Sequence, residues 1–199
     1  PARGPFQPGS PSYVETEYPE YDLDEAIALH EEYKAKHGGP LTFTANIIPT
    51  PEIQAIAQTL QQQGEQAGLE ITLNSIDQAT LIANAITANY QATGFILFGA
   101  PSLDREYVFI ADEPEGSPLN FTRNRNETII EALDAARATD DPDARQAQYE
   151  IVQHEMAKDL NFIWLVHQVA AVIYQPNVHG LDKTEFPDGG DTGRIVSPF

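Results

Sequence analysis

Residues 41–98 read LTFTANIIPTPEIQAIAQTLQQQGEQAGLEITLNSIDQATLIANAITANYQATGFILF, and the punctuation of this stretch decides the fold. An extended run, Leu41 to Ile48, gives way to Thr50-Pro51. That pair suits a helix cap followed by a first helical residue, where proline's missing N–H is harmless. Ile53, Ile56, Ala57, Leu60 and Ala67 then recur at helical spacing, and Gly68 supplies the stop. A second extended run spans Leu69 to Ile76, and Asp77 caps a further helix with Leu81, Ile82, Ala85 and Ile86 on its apolar face. Gly94 to Phe98 forms a third strand-like run. Strand, helix, strand, helix, strand with short connections predicts an α/β layer with a partly parallel sheet around one core.

Outward from this segment the signals thin. Residues 1–20 carry five prolines by Pro19 and no periodicity, which predicts an extended arm that needs something to dock on. Asp22, with Glu25 three residues on, marks a capping box for a helix over 22–36. Its inward residues are expected to be Ala26, Leu29, His30 and Tyr33. On the far side, Gly99 to Arg125 is a long, proline- and glycine-broken loop holding Tyr107, Phe109 and Phe121. Two helices follow, over 126–138 with Ile129, Ile130, Leu133 and Ala136 inward, and over 142–158. The second is capped by Asp141-Pro142, and its apolar positions are Ala144, Ala147, Ile151, Val152 and Met156. The runs NFIWLVH and VAAVIY within 161–174 read as strands covered on both faces. Residues 21–175 thus form a lobe and 176–199 an irregular tail.

Composition bounds the chemistry. The 199 residues are 41% apolar, enough for a folded core. Eleven basic against 30 acidic residues give a formal charge of -19. That balance argues against nucleic acid or an anionic membrane as partner, since phosphate contacts need clustered Lys and Arg. With no cysteine, disulfides, thiolate chemistry and cysteine-ligated metals are excluded. No apolar run is long enough to span a bilayer. The opening PARGPFQPGSPSY suggests a processed fragment of something longer. The five histidines make no HExxH, and no GxSxG elbow or glycine-rich phosphate loop occurs. Asp188 and Asp191 lack the series and distal Glu of a calcium loop. No metal or cofactor is expected.

The order of these elements resembles the carboxy-terminal portion of extracytoplasmic solute-binding proteins of the peptide/nickel (dipeptide and oligopeptide) class of ABC importers. PARGP at the start resembles their hinge-proximal stretch. YDLDEAIALHEEY resembles their Tyr-Asp-Pro-x-x-Ala-x-x-Leu-Leu helix through Tyr21, Asp22, Ala26 and Leu29, with Leu23 where proline is usual. Gly68, Leu69, Glu70 and Ile71 resemble their helix-to-strand passage. Asn120, Asn126, Ala136, Arg145 and Tyr149 resemble the later Asn-rich block and its helices, and VHGL at 178–181 a Val-x-Gly-hydrophobic segment.

The resemblance implies one lobe of a two-lobed periplasmic-binding-protein-like fold, with a mixed sheet flanked by helices. It implies a non-catalytic receptor for a small solute such as a peptide, partnered through the full-length protein with a membrane permease. Its location would be periplasmic or extracytoplasmic, after a signal peptide and with a possible lipid anchor in the precursor. Ligands in open α/β sheets gather beyond the carboxyl ends of strands. The expected rim is therefore Phe98, Gly99, Ala100, Pro101 and Asp104 after the third strand, together with Asn120, Phe121 and Arg123. Phe98 and Phe121 would offer flat apolar contact, Arg123 would meet a carboxylate, and Asp104 a cation or donor. The rival classes are a hydrolase with an acidic pair in the Gly99–Arg125 loop and a non-catalytic interaction domain.

Overall fold

The computed structural model describes residues 1–10, 12–95, 103–111, 118–167, 173 and 175–179. Contacts divide the chain into two compact units, Pro19–Leu97 and Pro1–Tyr18 with Phe98–Phe199.

The Pro19–Leu97 unit is the α/β layer. Helix α1 spans Leu23–His37, β1 Thr42–Ile47, α2 Pro51–Gln66, β2 Glu70–Ser75, α3 Gln78–Ile86 and β3 Ala92–Thr93. The sheet order is β2-β1-β3, and both pairings are parallel. Each helix begins at its sequence signal. Asp22 accepts from Glu25 N at 2.9 Å, Thr50 from Ile53 N at 3.3 Å and Asp77 from Thr80 N at 3.0 Å. Gly38, at φ 81°, ends α1 by donating to Lys34 O. After α2, Ala67 is the cap residue and Gly68 takes the left-handed turn at φ 90°. Ile47, Ala57, Ala67, Leu81 and Ala85 are buried here.

Three expectations need correction in this unit. Of the inward residues expected on α1 only His30 is buried, whereas Leu29 is exposed. On α3, Leu81 and Ala85 are buried but Ile82 and Ile86 are exposed, so the covered stripe is narrower than the apolar one. The third strand is Ala92–Thr93, and Gly94 and Phe95 lie past its end. Pairing starts early because β1 offers its groups early. Thr44 N donates to the Gln91 side chain at 2.8 Å, and Gly94 N donates to Asn46 O at 3.0 Å. Residues 96–98 of the expected strand lie outside the described residues.

The second unit is built on a helical hairpin. A 3₁₀ turn, Leu103–Glu106, leads into the short α4, Tyr107–Ile110. Helix α5, Glu127–Arg137, and α6, Pro142–Asp159, follow. Ile129, Ala132, Leu133 and Ala136 of α5 pack in one cluster with Tyr149, Val152 and Met156 of α6. Leu103, Tyr107, Ile110 and Ala111 join that cluster. Phe6 joins it too, and Ala2 N donates to Leu165 O at 3.1 Å, so the proline-rich stretch is tied into this unit. On α6 the buried stripe is Tyr149, Val152, Gln153, Met156 and Ala157, while Ile151 is exposed. Val152 and Met156 are thus buried as expected, Ala144 and Ala147 are exposed, and Gln153 joins the core side, where its amide donates to Ser12 O and Tyr149 O.

Residues 161–167 are not strand. Phe162 and Trp164 stack at 5.3 Å and pack on the hairpin core. The Tyr18 hydroxyl accepts from Trp164 N at 3.1 Å and donates to Phe162 O at 3.4 Å, doing locally what a neighbouring strand would do. Residues 168–172 and 174 of the expected strand lie outside the described residues, as does the tail from 180.

Candidate functional site

Four of the expected rim residues, Phe98, Gly99, Ala100 and Pro101, lie outside the described residues. The other four fall on two connected elements of the second unit. Asp104 sits in the 3₁₀ turn, which fully buried Leu103 pins to the core. Its carboxylate is joined to Arg137 Nε, and the same guanidinium reaches Asp104 O at 3.4 Å. Arg137 also lies over the Tyr107 ring, 3.7 Å from its centroid, and the Tyr107 hydroxyl donates to Asp134 at 3.0 Å. Burial works against the Arg137 charge, but the hydrogen bond and charge of Asp104 outweigh it and raise the pKa above its ordinary value. One cation thus stands among two carboxylates and an aromatic face. Such a cluster fixes a loop; Asp104 and Asp134 are each engaged by another side chain and do not form an acid/base pair.

Asn120, Phe121 and Arg123 occupy one turn, linked to the first element where Phe121 meets Phe109 of α4 edge-on at 6.0 Å. Asn120 is completely buried. Its amide donates to Asn124 O at 2.9 Å, its side-chain oxygen accepts from the Thr122 hydroxyl at 3.0 Å, and its backbone oxygen accepts from Arg123 N at 3.1 Å. Those bonds shape the turn from within. Phe121 is half-buried and Arg123 is exposed, with a left-handed backbone at φ 55°. The turn therefore displays an aromatic edge and a guanidinium, groups suited to a ligand with an apolar part and a negative end.

Sequence reasoning missed Arg137 and Asp134 beside the 3₁₀ turn, and Glu155 and Asp159 of α6, which accept from the Asn124 and Asn126 amides. Only Asp134 and Arg137, three apart on one helix, left a local signal. Elsewhere in the same unit, Arg3, Phe6, Tyr13, Glu15 and His167 line a cavity of about 220 Å³ that includes none of the expected rim residues. Among the described residues, no three His, Asp or Glu side chains are grouped to hold a metal ion, and no helix is long and apolar enough to cross a membrane.

No protein-family model matches the chain, and neither does any curated protein. Solved structures do match. The chain is similar to a dipeptide-binding protein from Pseudoalteromonas sp. SM9913, crystallised with Met-Leu, at a TM-score of 0.71 and 18% identity over 80% of this chain and 33% of that one. An ABC-transporter substrate-binding protein from Listeria monocytogenes matches at 0.65 and 21% identity, over 80% and 33% of the two chains. A nickel ABC-transporter protein from Bacillus halodurans matches at 0.63 and 24% identity, over 80% and 35%. The chain thus has the fold of part of these proteins and spans about a third of their length.

Proposed function

We propose that this chain is the second, carboxy-terminal lobe of a two-lobed extracytoplasmic receptor that delivers a small solute, with peptides the first class to test, to an ABC permease. The observation that carries the reading is the fold likeness. About four-fifths of the chain superposes on about one third of a dipeptide-binding protein, an ABC-transporter substrate-binding protein and a nickel ABC-transporter protein. The order of the sequence segments supports it independently. On this reading the precursor carries a signal peptide, residues 21–175 belong to the lobe, and 176–199 return toward the first lobe. The ligand rim comprises Phe98, Gly99, Ala100, Pro101, Asp104, Asn120, Phe121 and Arg123, of which Asn120 shapes the rim from beneath.

The role is binding without catalysis. The acids nearest the rim are tied to Arg137 and Tyr107, which favours a fixed frame over a titrating pair. A receptor of this kind works by population shift: the solute must contact both lobes more favourably in the closed state than in the open one. One lobe supplies only part of that contact, so the 199-residue chain by itself should bind weakly. Titration calorimetry of this chain against short peptides tests that, and micromolar affinity would contradict it. Native mass spectrometry of the full-length protein as purified tests the receptor reading itself. A retained small solute is expected, and a bound macromolecule in its place would favour an interaction domain.

A further inference from the structure

We propose that Asp159 is a positioning residue: its carboxylate clamps the Asn120–Asn126 segment so that Arg123 and Arg125 meet a carboxylate-bearing solute. This rests on the rim reading of that segment given above. From Thr122 onward the segment alternates in burial. Asn120 is buried, Thr122, Asn124 and Asn126 are half-buried, and Arg123 and Arg125 are exposed. The even positions hold one another. The Thr122 hydroxyl donates to Asn120, Asn124 N donates to Thr122 Oγ1 at 3.3 Å, and Asn126 N donates to Asn124 Oδ1 at 3.0 Å. The ladder is anchored outside itself on two acids of α6, and Asp159 is the one that takes both asparagines. Asn124 Nδ2 and Asn126 Nδ2 both donate to Asp159 Oδ2, at 3.0 and 2.9 Å, and Asn126 Nδ2 also reaches Glu155 at 3.2 Å.

The local chemistry around Asp159 runs against what a helix end prefers. Asp159 is the last residue of α6, where the carbonyl end of the helix dipole disfavours a negative charge. The next residue, Leu160, takes the left-handed cap position at φ 51°, where glycine is the unstrained choice. Arg123, at the other side of the clamp, is left-handed as well. These are two of only three such non-glycine residues in the described chain. Locally unfavourable choices concentrated at one place indicate a constraint that acts through tertiary contacts. Here the constraint is the pair of amide hydrogen bonds to one carboxylate oxygen. What they present fits an anionic group. Arginine forks bind carboxylates in a bidentate way, and a chain with 11 basic and 30 acidic residues places two arginines on this one segment.

The test uses the full-length receptor, with trialanine and trialanine amide as probes, and hydrogen exchange on the 199-residue chain. The variants are Asp159→Ala and Asp159→Asn, the latter keeping a carbonyl oxygen that both asparagines can still reach. Wild type should prefer the free carboxylate over the amide by about tenfold. Asp159→Ala should bring that preference close to unity, while Asp159→Asn retains most of it. In the 199-residue chain, the backbone amides of Arg123 and Asn126 should exchange at least about tenfold faster in Asp159→Ala. Wild-type exchange rates in that variant would overturn the clamp. Equal weakening of both probes, which a merely structural role predicts, would overturn the positioning role while leaving the receptor standing. Wild type binding neither probe would remove the peptide-receptor reading and the carboxylate half of this proposal together.

Discussion

Replacing Gly68 by alanine probes how the α/β unit is locked, and a second glycine supplies the control. Gly68 has φ 90°, and a Cβ placed on it would lie 2.7 Å from His30 Nδ1 and 3.0 Å from its Cε1. Adopting a left-handed backbone costs an alanine about 1–2 kcal/mol. The contact adds a second cost, because His30 is not free to step aside. It is buried at 6% exposure, and its Nε2 accepts from Leu41 N at 3.1 Å as the chain enters β1. Moving the ring strands that donor, worth about 1–3 kcal/mol. Gly68→Ala should therefore lose about 2–5 kcal/mol in all, the sum of the backbone and donor terms. Gly38, at φ 81°, has nothing within 4 Å of an added Cβ, so Gly38→Ala should lose only the backbone share. Urea unfolding followed by far-ultraviolet circular dichroism measures both. Trp164, which lies in the other unit, gives a separate fluorescence signal. Equal losses for the two variants would refute the idea that His30 fills the space over Gly68. A third variant sharpens the comparison: in a His30→Ala background the extra cost of Gly68→Ala should vanish.

Other expectations follow from the hairpin and the rim. Leu133→Ala, at 1% exposure, should cost about 2–5 kcal/mol in urea unfolding, whereas Ile151→Ala, at 40%, should cost under about 1 kcal/mol. A reversed order would mean that the α6 stripe has been assigned to the wrong side. Glu155 is held below its ordinary value of 4.5 by hydrogen bonds first from Lys158 and then from Asn126. A depressed carboxylate stabilises the fold fully above its unfolded pKa and loses that contribution as pH falls through the folded value. The stability gap between wild type and Glu155→Gln should accordingly narrow on acidification from about pH 4.5, and a pH-independent gap in urea midpoints would count against the pairing. If the full-length protein is the receptor proposed above, Phe121→Ala and Arg123→Ala in it should each weaken solute binding by more than about tenfold with little change in thermal midpoint. Unchanged affinity in both would remove this turn from the site.

The helix starts were legible in the sequence because each is a contact between near neighbours. Asp22, Thr50, Asp77, Asn126 and Asp141 all accept from backbone N–H groups two or three residues ahead, so their identity alone places the helix. β1 and β2 were legible for a related reason: alternation and a short helical crossover leave little choice but parallel pairing. What the sequence could not decide is where polar groups find partners far along the chain. The apolar run at 161–167 has the composition of a strand, yet Phe162 O and Trp164 N bond the Tyr18 hydroxyl, 144 and 146 residues away, and Leu165 O accepts from Ala2 N. Gln153, a polar residue, is buried beside Val152 and Met156, because Ser12 O waits there for its amide. Asp104 and Asn120 were expected at the rim, but nothing near them in sequence foretold Arg137 or the asparagine ladder running to Asp159. Local propensity acts over a few residues. The partners that give these polar side chains their roles are brought to them only when the α5–α6 hairpin closes.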